Sequence, residues 1–190
     1  NVFRANKNDQ FPDAGEIYMY KAECFFPLKD FQKAQENFDK SVEYNTKRFG
    51  TPSKELADCL YRTATIKRTS EQFKEETRDL YSKSLEMYRK TGCLFETMST
   101  LANFANFLME LQEPQEAAKL AQESLKILKA SFSHDIDRLE SCHNVLGMAQ
   151  FYAGDIPNCL GNLETAASIC EQLGDSSGNL ISHYYNLVRA

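Results

Sequence analysis

The segment "NVLGMAQFYAGDIPNCLGNLETAASI", residues 144–169, spaces Gly147, Gly154 and Gly161 seven residues apart among leucines and aromatics. Glycines so placed either cradle a phosphate or let two helices touch. A phosphate loop needs a preceding strand and clustered glycines that open a helix N-terminus. Neither is present: nothing here alternates with the period of a strand, and the glycines are dispersed. Packing and turning account for two of them. Gly147 lies inside an apolar pattern of helical period, where a side chain would hold a neighbouring helix away. Gly154, followed by Asp155 and Pro157, reads as the end of one helix and the start of the next. Gly161 falls within the second helix, where it costs roughly 1 kcal/mol against Ala, and the sequence offers no reason for it.

Working outward, the register of Gly147 recurs as Ala22, Ala64, Ala105, Gly147 and Val188, with steps of 42, 41, 42 and 41. A second series runs Ala34, Thr77, Ala117, Cys159, and a third runs Ser41, Ser84, Ser124, Ala166. Phe38, Tyr81, Ala121 and Leu163 stand between those two. Registers that keep step over four copies define a repeat, and each copy shows helical spacing throughout. Breaks at Thr69-Ser70, Glu113-Pro114 and Gly154-Asp155 divide the copies into helix pairs. Asp13 with Glu16 resembles a capping box at the first helix, and Thr51-Pro52 opens the second copy. The pairs are expected near 15–28/30–47, 53–69/71–91, 94–111/114–131 and 135–153/156–173, with a ninth helix from about 178. The predicted fold is all-α: a right-handed superhelical solenoid of about four helix-turn-helix repeats plus a final helix, over 15–190, after a lead-in at 1–14. Ile181, Tyr184, Leu187 and Val188 give that ninth helix more apolar surface than a capping helix should leave exposed. The chain is therefore expected to be part of a longer one, with another helix following.

These residues resemble the tetratricopeptide repeat family. The resemblance rests on the small residue of each first helix (Ala22, Ala64, Ala105, Gly147), the preceding Phe104 and Leu146, and the patterns Ala34–Phe38–Ser41, Ala117–Ala121–Ser124 and Cys159–Leu163–Ala166. The family's usual step of about 34 residues is exceeded here. The longer step, together with the connector "RFGTPSKELADCLYRTA" (48–64), is similar to the kinesin light chain subclass. Lys67-Arg68 departs from the apolar or small residues usual at that place. The resemblance implies a non-catalytic protein-interaction scaffold whose first helices line a concave groove, where asparagines hold bound peptides. A clamp for acidic chaperone tails would need lysine and asparagine where Met19 and Glu23 stand, so that variant is not expected.

Composition agrees with a binding module. The net charge is −5 in 190 residues, so no nucleic-acid or anionic-membrane partner is expected, since both need a dense basic face. No apolar run reaches the 18 residues of a candidate membrane helix. The six cysteines, Cys24, Cys59, Cys93, Cys142, Cys159 and Cys170, are scattered at apolar helical positions without a CxxC. They read as reduced packing residues of a cytoplasmic protein. The histidines are His134, His143 and His183. Cys142 and His143 are adjacent on one helix, so their side chains diverge, and "HDID" (134–137) reads as a solvated helix start. No catalytic set, metal site or cofactor is expected.

Outward positions of the first helices, counted from the small residue, begin with Glu16, Met19, Tyr20, Glu23 and Phe26. Later copies present Asp58, Tyr61, Arg62, Thr65 and Arg68, then Ser99, Asn103, Asn106, Met109 and Glu110. From these and the last helices the candidate partner-binding set is Tyr20, Tyr61, Arg62, Arg68, Asn103, Asn106, Met109, Asn144, Met148, Phe151, Tyr152, Asn186 and Arg189. Amides hydrogen-bond an extended backbone of any sequence, and Met, Phe and Tyr offer adaptable apolar pockets. The expected partner is a protein or peptide segment with apolar anchors and at least one acidic residue attracted by the arginines. A second reading is a structural or regulatory arm of a larger assembly that uses helix edges or the convex face. If the cysteines are packing residues, thiol titration of the freshly denatured chain should recover close to the six groups present. Fewer than four would point to disulfides or bound metal.

Overall fold

A computed structural model describes residues 13–174. They form eight α-helices with no strand: α1 (Ala14–Phe25), α2 (Phe31–Phe49), α3 (Lys54–Lys67), α4 (Lys74–Thr91), α5 (Leu94–Glu110), α6 (Pro114–Ser131), α7 (Ile136–Ala153) and α8 (Ile156–Gln172). The expected ninth helix lies outside the described residues. The chain divides into two compact units, the boundary falling between Gly92 and Cys93. In unit 1, α1 pairs with α2 and α3 with α4, and α2 packs on α3. In unit 2, α5 pairs with α6 and α7 with α8, and α6 packs on α7.

Local chemistry sets the helix ends. Asp13 Oδ1 accepts the Glu16 N–H at 3.0 Å, and Asp30, Ser53 and Asp135 cap α2, α3 and α7 in the same way. Pro114 and Pro157 occupy first turns, where a missing N–H costs nothing. Three of the turns within pairs share one conformation. Lys29 (φ 59°), Gln112 (φ 62°) and Gly154 (φ 82°) are left-handed. The next residue's N–H then reaches five residues back, from Asp30 to Phe25, Glu113 to Leu108 and Asp155 to Gln150, at 3.2, 2.9 and 2.9 Å. This pattern uses carbonyls the helix end leaves free.

The small-residue register is where pairs close. Ala22, Ala64 and Ala105 are wholly buried. At Gly147 an added Cβ would lie 2.8 Å from Leu163 Cγ and Cδ2, so the glycine is required by contact with α8. The serine series ties helices together. Ser41 Oγ on α2 donates to the Gly15 carbonyl of α1 at 2.8 Å and stands 3.3 Å from Cys59 Sγ of α3. Ser124 Oγ repeats this on the Met98 carbonyl at 2.9 Å and Cys142 Sγ at 3.7 Å. Each of these three positions is offset by 83 residues, two repeats.

Three expectations are corrected. Met19 and Phe26, read as outward, are 1% and 6% exposed and belong to the core with Ala22, Ala34 and Phe38. Positions 19, 22 and 26 form a single helical stripe, so the stripe that carries the small residue against α2 carries them too. α1 stops at Phe25 rather than at 28 because Pro27 has no N–H to continue the ladder. α4 starts at Lys74, after a short 3-10 turn at Glu71–Phe73. That turn delivers Phe73 to Phe26 and Phe31 at ring separations of 5.7 and 5.4 Å. Beside this cluster lies Lys67, the departure noted in the second copy. It is 1% exposed, bonded through Nζ to Gln35 and Glu76, and its Nζ sits 5.0 and 5.5 Å from the ring centres of Phe73 and Phe38. A buried ammonium persists only with such partners.

The three glycines of the opening segment therefore predict different mutational outcomes. No atom lies within 4 Å of a Cβ built at Gly161, so Gly161→Ala should stabilise unit 2 by about 1 kcal/mol. Gly154→Ala should destabilise it by about 1 kcal/mol through its positive φ, and Gly147→Ala through the clash with Leu163. Urea melts of the three variants check this, and a stabilising Gly147→Ala would contradict the close-approach reading.

Candidate functional site

Neighbouring first helices flank a cleft in each unit. In unit 2 the cleft has a volume of about 440 Å³. α5 lines it with Met98, Ser99, Ala102, Asn103 and Asn106, and α7 with Arg138, Ser141, Cys142 and Val145. Asp135 and Asp137 also line it, as does buried Ser124. The α7 residues follow i, i+3, i+4, i+7 spacing and so form one wall. Asn103 Nδ2 donates to the Ser99 carbonyl at 3.0 Å. Arg138 is held on two sides: its Nε donates to Asp135 Oδ2 at 2.7 Å, and its guanidinium carbon lies 4.4 Å from the centre of the Phe95 ring. Stacking and pairing of this kind fix a guanidinium before any ligand arrives.

In unit 1 the equivalent cleft between α1 and α3 is smaller, about 120 Å³. Its walls carry the same positions, 83 residues earlier: Glu16 for Ser99, Met19 for Ala102, Glu55 for Arg138, Asp58 for Ser141 and Arg62 for Val145. Cys59 and Cys142 occupy corresponding places, and burial pushes both thiols up, against the smaller effect of their serine partners.

Of the predicted site residues, Asn103 and Asn106 share the unit 2 cleft. Met109 lies further along α5, half-buried. Asn144, Met148, Phe151 and Tyr152 are on α7 but do not line the cleft; Phe151 and Tyr152 contact each other edge to face at 5.3 Å. In unit 1, Arg62 lies 5.1 Å from the centre of the Tyr20 ring. Its Nε and Nη2 both reach Glu23 Oε1, at 3.1 and 2.5 Å, so its charge is already answered. Tyr61 packs edge to face on Tyr81 of α4 at 6.1 Å, and burial raises its hydroxyl pKa. Arg68 is half-buried at the end of α3. Asn186 and Arg189 lie outside the described residues.

Asp137, Arg138, Ser141 and Val145 were not anticipated. One outward register had been applied to every first helix, whereas a cleft between two neighbours is walled by the facing flanks, which are opposite sides of the two helices. The signal in the sequence was the 83-residue spacing of Cys59 and Cys142, which marks the flank of α3 and α7 that faces the preceding first helix.

Away from the cleft, His143 on α7 is 5% exposed. Its Nδ1–H donates to Asn162 Oδ1 at 2.7 Å, while Asn162 Nδ2 donates to Gln150 Oε1 at 2.8 Å. Burial lowers the pKa of His143, with the Asn162 bond working the other way. Among the described residues no group of three or more His, Cys, Asp or Glu is arranged to hold a metal ion, and no helix is long and apolar enough to cross a membrane.

Solved structures resemble the whole array. BtubC (BKLC) from P. vanneervenii superposes with a TM-score of 0.78 at 18% identity, covering 90% of this chain and 69% of that one. The nearly identical TPR-like repeats assigned to a kinesin light chain of Podosopora anserina superpose with a TM-score of 0.75 at 14% identity, covering 94% and 87%. No family model matches the sequence, and no curated protein does. The fold is a TPR-like, all-α helical repeat fold.

The buried histidine gives a pH test. The folded chain holds His143 neutral below its ordinary titration range, whereas the unfolded chain takes up the proton near about pH 6.5. Stability from this group is therefore fully present above that pH and is lost as pH falls below it. Denaturant melts between pH 7.5 and 5 should show a steeper decline for the wild type than for His143→Gln. Parallel declines would count against a buried neutral imidazole.

Proposed function

We propose that this chain is a non-catalytic protein-interaction scaffold of a cytoplasmic protein, a repeat array within a longer chain, that holds a peptide segment of a partner in its first-helix clefts. The observation that carries the reading is the unit 2 cleft. It has the volume of a ligand-sized site, and along it Asn103 and Asn106 offer amides, Ser99 and Ser141 hydroxyls, and Ala102 and Val145 apolar surface. Amides bond a backbone whatever its side chains, and the apolar strip gives an anchor a place to be buried. Met109, Asn144, Met148, Phe151 and Tyr152 extend the proposed surface beyond the cleft, and Tyr20, Tyr61, Arg62 and Arg68 form its unit 1 counterpart. Asn186 and Arg189 complete the set.

A second reading, contact through helix edges, is favoured by one observation. Leu94, Phe95 and Ile136 at the starts of α5 and α7 are 50%, 39% and 46% exposed. A peptide selected from a displayed library against the immobilised chain separates the two. Asn103→Ala with Asn106→Ala should weaken it by roughly 0.5–1.5 kcal/mol per lost amide contact and leave the Tm nearly unchanged, since both side chains are partly exposed. Unaltered affinity, with loss of binding in Leu94→Ser/Ile136→Ser, would transfer the site to the helix edges.

A further inference from the structure

The unit 1 cleft contains something its counterpart lacks. Where unit 2 has the buried apolar pair Met98 and Leu128, unit 1 has Gly15 and Asn45. A Cβ at Gly15 would lie 2.9 Å from Tyr44 Cδ1 and 3.0 and 3.2 Å from the amide nitrogen and oxygen of Asn45, so the glycine is what admits the amide. Asn45 is 8% exposed and lines the cleft. Its Nδ2 donates to the Ser41 carbonyl at 3.0 Å, and among the described residues its Oδ1 has no hydrogen-bond partner. Exchanging an apolar pair for a glycine and an unspent buried acceptor costs stability. A donor brought by another molecule would recover it.

The charges around this acceptor specify the donor. Asp13 is engaged by Arg48 Nη1 at 2.6 Å, Asp58 by Tyr88 Oη at 2.6 Å, and Arg62 by Glu23 at 2.5 Å. Glu16 on α1 and Glu55 on α3 have no ion-pair partner among the described residues, and both line the cleft. In unit 2 those two places are Ser99 and Arg138. The volume of about 120 Å³ equals the liquid volume of about four waters, room for one long side chain and not for a peptide backbone.

We infer that the unit 1 cleft is a second, cation-selective partner site that receives one lysine or arginine side chain of a partner peptide. The ammonium or guanidinium donates to Asn45 Oδ1, and its charge is balanced by Glu16 and Glu55. An apolar side chain would leave the acceptor unspent, and an acidic one would meet two carboxylates. The site goes beyond the unit 2 reading and stands without it.

The test is a titration of the nitrogen-15-labelled chain with acetyl-Ala-Ala-Lys-Ala-Ala-amide and its Arg, Gln and Glu counterparts, followed by backbone amide shifts. The Lys and Arg peptides should shift the amides of Gly15, Asn45 and Cys59, with Kd rising as salt is added, while the Gln and Glu peptides leave them in place. Glu16→Gln with Glu55→Gln, both on exposed residues, should weaken the Lys peptide by about tenfold or more. Asn103→Ala with Asn106→Ala should leave its binding unchanged, which separates this site from the unit 2 cleft. The inference is overturned if the Lys peptide shifts no unit 1 amide, if the Gln peptide shifts them equally, or if the double glutamine variant binds as tightly as the wild type.

Discussion

Every pair in this fold is held at a distance set by a side chain that is almost absent. Ala22, Ala64, Ala105 and Gly147 allow the second helix to approach its partner until Cβ or Cα meets a neighbouring side chain. The approach fixes where the serines fall. Ser41 and Ser124 then reach a carbonyl on the first helix of their own pair and a thiol on the first helix of the next. Three helices are joined through one hydroxyl, and the two first helices so joined are the walls of the clefts. A bulkier residue in the small register would displace the serine and the cleft together.

What could be read from the sequence follows from which interactions are local in the chain. The helical period, the left-handed Gly154 and the Asp13 cap depend on residues a few positions apart, and each was legible. Met19 and Phe26 were not, because their exposure depends on how far the buried stripe of α1 extends around the helix. Lys67 was visible as a departure but not as a buried ion, since Gln35 and Glu76 come from two other helices. For the same reason Phe73, which shortens α4, gave no signal until Phe26 and Phe31 were in place around it. In the cleft, α5 was read correctly at Asn103 and Asn106 and α7 was read on the wrong flank, because the facing side of a helix depends on which neighbour is considered.

The working repeat has two helix pairs rather than one. Ser41 and Ser124 make the same bonds 83 residues apart, whereas Ser84, between them, donates to the Tyr81 carbonyl of its own helix, and Ala166 has no hydroxyl. Each unit thus carries one serine clasp and one cleft on a common frame. The chemistry placed on that frame has diverged: Glu55 against Arg138, Arg62 against Val145, Asn45 against Leu128. Exchanges at wall positions change charge and volume while the clasp keeps the walls apart, so binding preference varies without disturbing the packing that supports it.

The cysteines, introduced above as packing residues, also furnish a measuring device. Cys59, Cys142, Cys159 and Cys170 are buried, while Cys24 is exposed and Cys93 is half-exposed. A thiol reagent used briefly on the native chain meets the accessible thiols first, because a buried thiol held in its protonated form reacts slowly. Those two positions fall one in each unit. A pair of spin labels or fluorophores attached there reports the separation of the units in solution without any mutation, and changes in that separation when a peptide is added show whether the two halves respond to it together.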